Sequence, residues 1–214
     1  ILVLHYTDME NDDEALQRLC KPQEKVSAHY FITRSGKVLE LVPPDYEAWH
    51  AGISFWDGYH NINNRSIGIE LSNPGHSNTY LDFSSPQIQA LITLCRNLLK
   101  LYTIPPSNIV GHSDVAPTRK KDPGERFPWH ELSQHGIGLF PAPQNVSFAC
   151  PLYSTEEFLE KLASYGYGID KSIEPRIYIE AFQRHFRPQN LSGQIDAECE
   201  QILEKLLVLK KSNL

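Results

Sequence analysis

Between Gly111 and Gly124 the chain gathers His112, Asp114, Arg119, Lys120, Lys121 and Asp122 into one loop bounded by glycine and proline, directly after the apolar pair Ile109-Val110. Loops that leave a buried strand and carry such groups are commonly sites, because the sheet behind them holds the side chains in fixed geometry. A second apolar run, Leu2-Val3-Leu4, ends the same way, in His5-Tyr6-Thr7. Two histidines at strand ends and one loop aspartate can form a three-ligand metal set that leaves a coordination position open, the arrangement of a catalytic metal centre.

Each of these residues also has a plainer reading. Asp122 stands in a Lys-Asp-Pro-Gly turn, where aspartate commonly serves the turn itself. Lys120 could be one member of a solvated charge run. Glu70, on the strand-like run Ser66-Ile67-Gly68-Ile69-Glu70-Leu71, faces either solvent or a cleft. Of the nine histidines, His5 and His112 stand out because both follow apolar runs; His60, His76, His130, His135 and His185 read as surface or core residues.

The elements that must position these groups are legible in outline. Asn11 can cap a first helix carrying Glu14 near its start and Leu16, Leu19 and Cys20 on one face. Ala28–Ile32 and Val38–Val42 flank a Gly-containing turn and read as a β-hairpin. The run Ser66–Leu71 alternates, placing Ile67, Ile69 and Leu71 on one face and Ser66, Gly68 and Glu70 on the other. Ser85-Pro86 opens a strong helix whose buried stripe is Ile88, Leu91, Ile92, Cys95, Leu98 and Leu99. Ile109-Val110 is a short strand. Strands and helices mixed in this order point to an α/β fold with a mixed central sheet flanked by helices.

Pro141, Pro143 and Pro151 mark a linker over residues 141–153, and beyond it the pattern becomes helical. Ser154 with Glu157 makes a capping box, Gly166 ends that helix, a second runs near Pro175 to Phe186, and Asp196 caps a third carrying Cys199, Ile202, Leu203 and Leu206. So short a segment buries little core alone and is expected to pack on the larger part of the chain.

Composition narrows the function classes. With 214 residues and a net charge of −6, the chain lacks the basic stripe of a nucleic-acid binder, and no apolar run is long enough to span a membrane. The four cysteines show no zinc-knuckle spacing. Cys20, Cys95 and Cys199 fall on helix faces expected to be buried, as free thiols, whereas Cys150, in the linker, could pair with Cys199. The first residue, Ile1, lies inside an apolar run without an initiator methionine, so an upstream segment such as a signal peptide or lipid anchor is an expectation.

Five motifs carry a family resemblance: Leu4-His5-Tyr6-Thr7, Ser27-Ala28-His29-Tyr30, Ala48-Trp49-His50-Ala51-Gly52, Asn64 to Leu71, and Gly111-His112 through Gly124. In this order, over roughly residues 1–140, the chain resembles the type 2 N-acetylmuramoyl-L-alanine amidases, a zinc-amidase group that includes the peptidoglycan recognition proteins. The resemblance implies that fold, one Zn²⁺ per chain held by His5, His112 and Asp122, Glu70 as the base acting on the attacking water, and Lys120 stabilising the developing oxyanion. It also suggests Arg119 as a partner for a stem-peptide carboxylate, and Trp49 and His50 as walls of the substrate groove, with core packing the other reading of Trp49. His29 reads as a supporting rather than a ligating histidine. Residues 154–214 resemble, more loosely, a three-helix peptidoglycan-binding module through Tyr165-Gly166-Tyr167, Ala181–Phe186 and Gly193–Asp196. The implied organisation is a catalytic domain over 1–140, a linker over 141–153 and a helical domain over 154–214. That pairing tilts towards the envelope-located AmiD type, periplasmic and lipid-anchored or else secreted, rather than the cytoplasmic AmpD type. A monomer acting on peptidoglycan or muropeptides is expected.

Two other readings stand beside the zinc hydrolase. A recognition module that binds muropeptides without cutting them would typically lack one of the ligands, yet all three are present. A cysteine peptidase would need an exposed cysteine beside a histidine, which three cysteines on helix faces do not offer.

Overall fold

The first strand, β1 (Leu2–Tyr6), is buried at all five positions, as a strand must be when both faces of its sheet are covered. The computed structural model describes residues 1–141 and 153–212. After β1 come α1 (Asp12–Cys20), β2 (Tyr30–Ile32), β3 (Val38–Glu40), a small hairpin of β4 (Phe55–Trp56) and β5 (Tyr59–His60), β6 (Ile67–Leu71), α2 (Ser85–Leu101), β7 (Ile109–Gly111), α3 (His112–Val115) and α4 (Trp129–Ser133). Then follow α5 (Thr155–Tyr165), α6 (Pro175–Phe186) and α7 (Ala197–Ser212). The main sheet runs β3-β2-β6-β1-β7. β1 pairs in parallel with β6 and β7, β2 with β6, and only β3 is antiparallel. The fold is the expected α/β mixed sheet.

Strand alternation decides what each face carries. Leu2, Leu4, Ile67, Ile69 and Leu71 meet the stripe Ile88, Leu91, Ile92, Cys95 and Leu98 of α2 in one apolar layer. Leu99 lies at the edge of that layer, half-buried. Ser84, not Ser85, caps α2, accepting the Gln87 N–H at 3.3 Å; proline is tolerated anywhere in the first turn, where the amide would have no partner.

The opposite face carries Val3 and Val110, which pack with Trp56, Phe158, Leu162, Tyr165, Tyr167, Phe182, Phe186, Leu203 and Leu206 in a single core. The C-terminal helices therefore lie against the sheet. Ser154 and Glu157 form the expected capping box on α5. Gly166 ends α5 at φ +146°, where a Cβ would also press on the Trp56 ring, so glycine is required twice over. Asp196 Oδ1 accepts the Cys199 N–H at 3.1 Å at the start of α7.

Cys95 and Cys199 are buried, but Cys20 is exposed. α1 is buried at Ala15, and Leu19 lines a cleft, so the last turn is left in solvent. Cys150, the partner considered for Cys199, and most of the expected linker lie outside the described residues. Among the described residues no helix is long and apolar enough to cross a membrane.

Candidate active site

His5 and His112 meet because their strands are neighbours. β1 and β7 pair in register Leu4 with Gly111, so the next residue on each chain, His5 and His112, emerges at the same sheet end. The Ser113 N–H donates to the Asp122 carbonyl at 2.8 Å, which folds the loop back and brings the Asp122 carboxylate alongside. His5 Nδ1 and His112 Nδ1 lie 2.9 Å apart, and each is 3.0 Å from Asp122 Oδ2. The three residues form a metal-capable cluster, all buried.

Hydrogen-bond bookkeeping tests whether a cation fits. His112 Nε2 lies 3.1 Å from the Ala51 carbonyl, which can only accept. Nε2 therefore carries the proton, although the Arg119 Nη2 atom also approaches it at 3.3 Å. His112 Nδ1 is left as a bare lone pair. His5 Nε2 lies 3.0 Å from His50 Nδ1, and His50 Nε2 lies 3.2 Å from Ser66 Oγ, whose hydroxyl donates to the Ile62 carbonyl at 2.7 Å. Since Ser66 spends its proton on a carbonyl, it accepts from His50, which in turn accepts from His5. The same relay strips His5 Nδ1. Two imidazole lone pairs and a carboxylate oxygen thus converge with no proton between them, and that donor set suits a divalent cation with nitrogen and oxygen ligands. The mutual spacing is close to the roughly 3.3 Å edge of a tetrahedron with 2.0–2.1 Å bonds.

Titration favours the same state. Burial first, then the neighbouring His112, lowers the His5 pKa to about 4, keeping its lone pair available at neutral pH. Burial alone would raise Asp122, but its place between the His112 and His5 rings holds its carboxyl well below the usual carboxylate range, so it stays an anion at neutral pH. His50 is pushed well down by burial and then by His5.

Glu70 stands opposite His5 in the parallel register of β1 and β6, on the face the alternation assigned to it. Its Oε2 is buried without a hydrogen-bond partner. Burial first, and then the Asp122 charge, raises its pKa well above the ordinary value, the environment of a proton-transfer carboxyl. Glu70 lines a cleft of about 590 Å³ together with His50, His112, Lys120 and Asp122. A second cavity of about 540 Å³ shares Trp49, His50, His112, Arg119 and Lys120, so the groove continues past the metal-capable cluster. A Cβ at Gly68 would collide with the His50 ring, which is why that strand position is glycine.

The remaining expected residues divide. Trp49 is 52% exposed and lines both cavities, so it belongs to the groove and not the core. His50 is buried at the groove floor and is engaged by His5 and Ser66. Arg119 donates from Nε and Nη2 to the Ile53 carbonyl and from Nη2 to the Ala51 carbonyl, which ties much of its fork to the loop that also orients His112. His29 accepts the Gly68 N–H at Nδ1 and donates to the Tyr46 carbonyl from Nε2, the supporting position expected of it.

Sequence reasoning passed over two clusters. At the cleft wall, His76 contacts the Tyr6 hydroxyl at 2.6 Å and Glu125 at 3.1 Å and stacks on Tyr80. Behind His112, Asp114 is wholly buried and is held by Tyr167 and His185. His76 follows the turn Asn73-Pro74-Gly75, the only local hint of a fixed position; nothing near His185 distinguishes it from an ordinary helical histidine.

Residues 1–125 match the N-acetylmuramoyl-L-alanine amidase family. The chain belongs to that family. It is 42% identical over 229 aligned residues to the N-acetylmuramoyl-L-alanine amidase AmiD of Escherichia coli, covering 97% of this chain and 82% of that protein. The structure of that AmiD in complex with the substrate anhydro-N-acetylmuramic acid-L-Ala-D-gamma-Glu-L-Lys superposes with TM-score 0.91 at 39% identity, covering 100% of this chain and 90% of the other. AmpDh3 of Pseudomonas aeruginosa, in complex with an anhydromuramic pentapeptide, gives TM-score 0.86 at 32% identity, covering 100% and 92%. The 1,6-anhydro-N-acetylmuramyl-L-alanine amidase AmpD of Escherichia coli is 42% identical over 105 residues, which are 49% of this chain and 55% of that one. This amidase chain thus resembles AmiD along nearly its whole length and AmpD along about half.

Proposed function

We infer that the protein is a hydrolase of the amide bond between N-acetylmuramic acid and L-alanine in peptidoglycan or muropeptides. The observation that carries the reading is the convergence of three proton-free ligand atoms, from His5, His112 and Asp122, at the floor of a groove in a chain of the amidase family. Zn²⁺ is the cation assigned to them, one per chain, and when bound it supplies Lewis acidity that acidifies water and polarises the scissile carbonyl. Glu70 takes the proton of the attacking water and returns it to the leaving L-alanine amine, a task suited to a buried carboxyl of raised pKa. Lys120 places its ammonium where negative charge develops on the carbonyl oxygen. Trp49 offers an exposed ring to the substrate. His50 serves the groove as floor and His5 as hydrogen-bond partner. Arg119 keeps its remaining donor capacity for a stem-peptide carboxylate.

The reading extends to organisation and location. Residues 1–140 form the catalytic unit, 141–153 a linker and 154–214 a helical unit resembling peptidoglycan-binding modules. The protein acts as a monomer in the cell envelope, periplasmic or secreted, in keeping with its likeness to AmiD over 97% of the chain.

The test is mass spectrometry of purified muropeptides incubated with zinc-loaded protein, with a chelated sample in parallel. The expected products are stem peptides beginning with L-alanine, lost on chelation and restored by zinc. Fragments bound but uncut by the zinc-loaded protein would instead make it a recognition module.

A further inference from the structure

Two of the three motifs that liken the C-terminal segment to a wall-binding module point inwards. Tyr167, His185 and Phe186 are 1–3% exposed. The Tyr167 hydroxyl donates to Asp114 Oδ1 at 2.5 Å, and His185 Nδ1–H donates to Oδ2 at 2.7 Å, since a carboxylate can only accept. The third donor to this carboxylate is the Gly111 N–H, also 2.7 Å from Oδ2. Asp114 itself is 0% exposed, and a carboxylate so fully removed from water depends on such donors. Two of the three come from beyond residue 153.

Asp114 also governs the direction of a metal-facing side chain. It closes the first turn of α3, whose first residue is His112, by holding the Gly111 amide. His112 then has its ring fixed at the far end by the Ala51 carbonyl. Behind Asp114 the His185 ring is clamped between Trp129 and Phe186, with centroids 3.8 Å from each, so it cannot swing away from the carboxylate. Burial and then the Asp114 charge raise the Tyr167 pKa well above normal, which keeps its proton in place as a donor.

We propose that Tyr167 and His185 are positioning residues for the metal centre: by holding Asp114 they set α3, and so the aim of His112 Nδ1, making the C-terminal helices part of the active site's construction. The proposal deepens the amidase reading, and rests on it for the activity measurement but not for the metal measurement.

The test compares four full-length variants. Tyr167→Phe and His185→Leu each delete one donor to Asp114. His185→Asn keeps an N–H near the position of Nδ1. Phe182→Leu trims the same apolar core, where Phe182 contacts Phe158 and Phe186, without touching Asp114. Zinc affinity is read by competition with a chromophoric chelator, thermal unfolding by calorimetry, and kcat and KM on a defined muropeptide. The expected result is a zinc affinity about tenfold weaker in Tyr167→Phe and His185→Leu, the lower end of what losing a ligand's supporting partner costs. Affinity recovers in His185→Asn and is unchanged in Phe182→Leu despite its lower Tm, and at limiting zinc kcat falls while KM holds. The proposal is overturned if zinc affinity is unchanged in the two donor deletions, or falls as much in Phe182→Leu, because the contacts would then be packing alone. Wild-type protein that binds zinc and cuts nothing would sink the amidase reading, yet leave the affinity series to decide this one.

Discussion

The two faces of the central sheet are built from the same strands and treat water in opposite ways. On one face Leu2, Leu4, Ile67, Ile69 and Leu71 meet α2, with Trp129 and Leu132 of α4, in a dry apolar layer. On the other, Val3 and Val110 belong to the core under the C-terminal helices, while Glu70 stops short of that cover and lines the groove with His50, His112 and Asp122. Helices can close that face completely because the strand residues turned towards it are all hydrocarbons. Where the strands end in ligands, the apolar half of the face needs its own cover and the polar half must stay open. Stability and chemistry are thus separated by strand alternation rather than by distance.

Substitutions can break or sharpen that contrast. The largest effect is expected on the open face: Glu70→Gln lowers kcat by about 10²–10⁴-fold, the usual contribution of a positioned acid–base group, while zinc binding persists. Steady-state kinetics with parallel metal analysis checks both halves of that statement, and a lost metal would show that Glu70 builds the site instead of acting in it. On the dry face, Leu91→Ala leaves a cavity and costs about 2–5 kcal/mol, read by urea unfolding, without altering zinc affinity in the folded protein.

At the groove mouth, Trp49→Ala removes an exposed ring and is expected to raise KM about 2–10-fold with little change in kcat, matching the roughly 0.5–1.5 kcal/mol of an aromatic contact. An unchanged KM would move substrate away from this wall. The smallest effect belongs to Glu125. Burial alone would raise its pKa, but the hydrogen bond from His76 dominates, with help from the His76 and Arg184 charges, and brings it from 4.5 down to about 2. A depressed acid contributes stability that is fully present above its unfolded pKa and fades as pH falls through the folded one. Wild-type Tm should therefore drop more steeply than that of Glu125→Gln between pH 4.5 and about 2. Parallel curves would show that the pair is too solvent-screened to matter.

The contrast also governs what the sequence discloses. The stripe of α2 and the alternation of β6 are local patterns, and both recur in the structure, with Leu99 at the margin. His5 and His112 were legible because each terminates an apolar run, and Asp122 because its loop concentrates charge. Two supporting roles were not legible. His50 matters through the lone pair it accepts a proton into, and His185 through a carboxylate 71 residues away in sequence; neither relation leaves a periodicity. Cys20 illustrates the reverse failure. Its helix buries Ala15 and turns Leu19 to a cleft, so helical spacing alone placed in the core a thiol that the last turn leaves in solvent.

The sheet order has a kinetic consequence. β1 is made well before its sheet neighbours β6 and β7, and the metal-facing atoms of His5 lie 107 and 117 residues from those of His112 and Asp122. Pairings so distant in sequence close late and slowly, because the chain entropy of the intervening loops must be lost before any contact forms. The cation site therefore has no early version. It forms only as β1 pairs with β7, so metal uptake during refolding is expected to follow closure of the sheet.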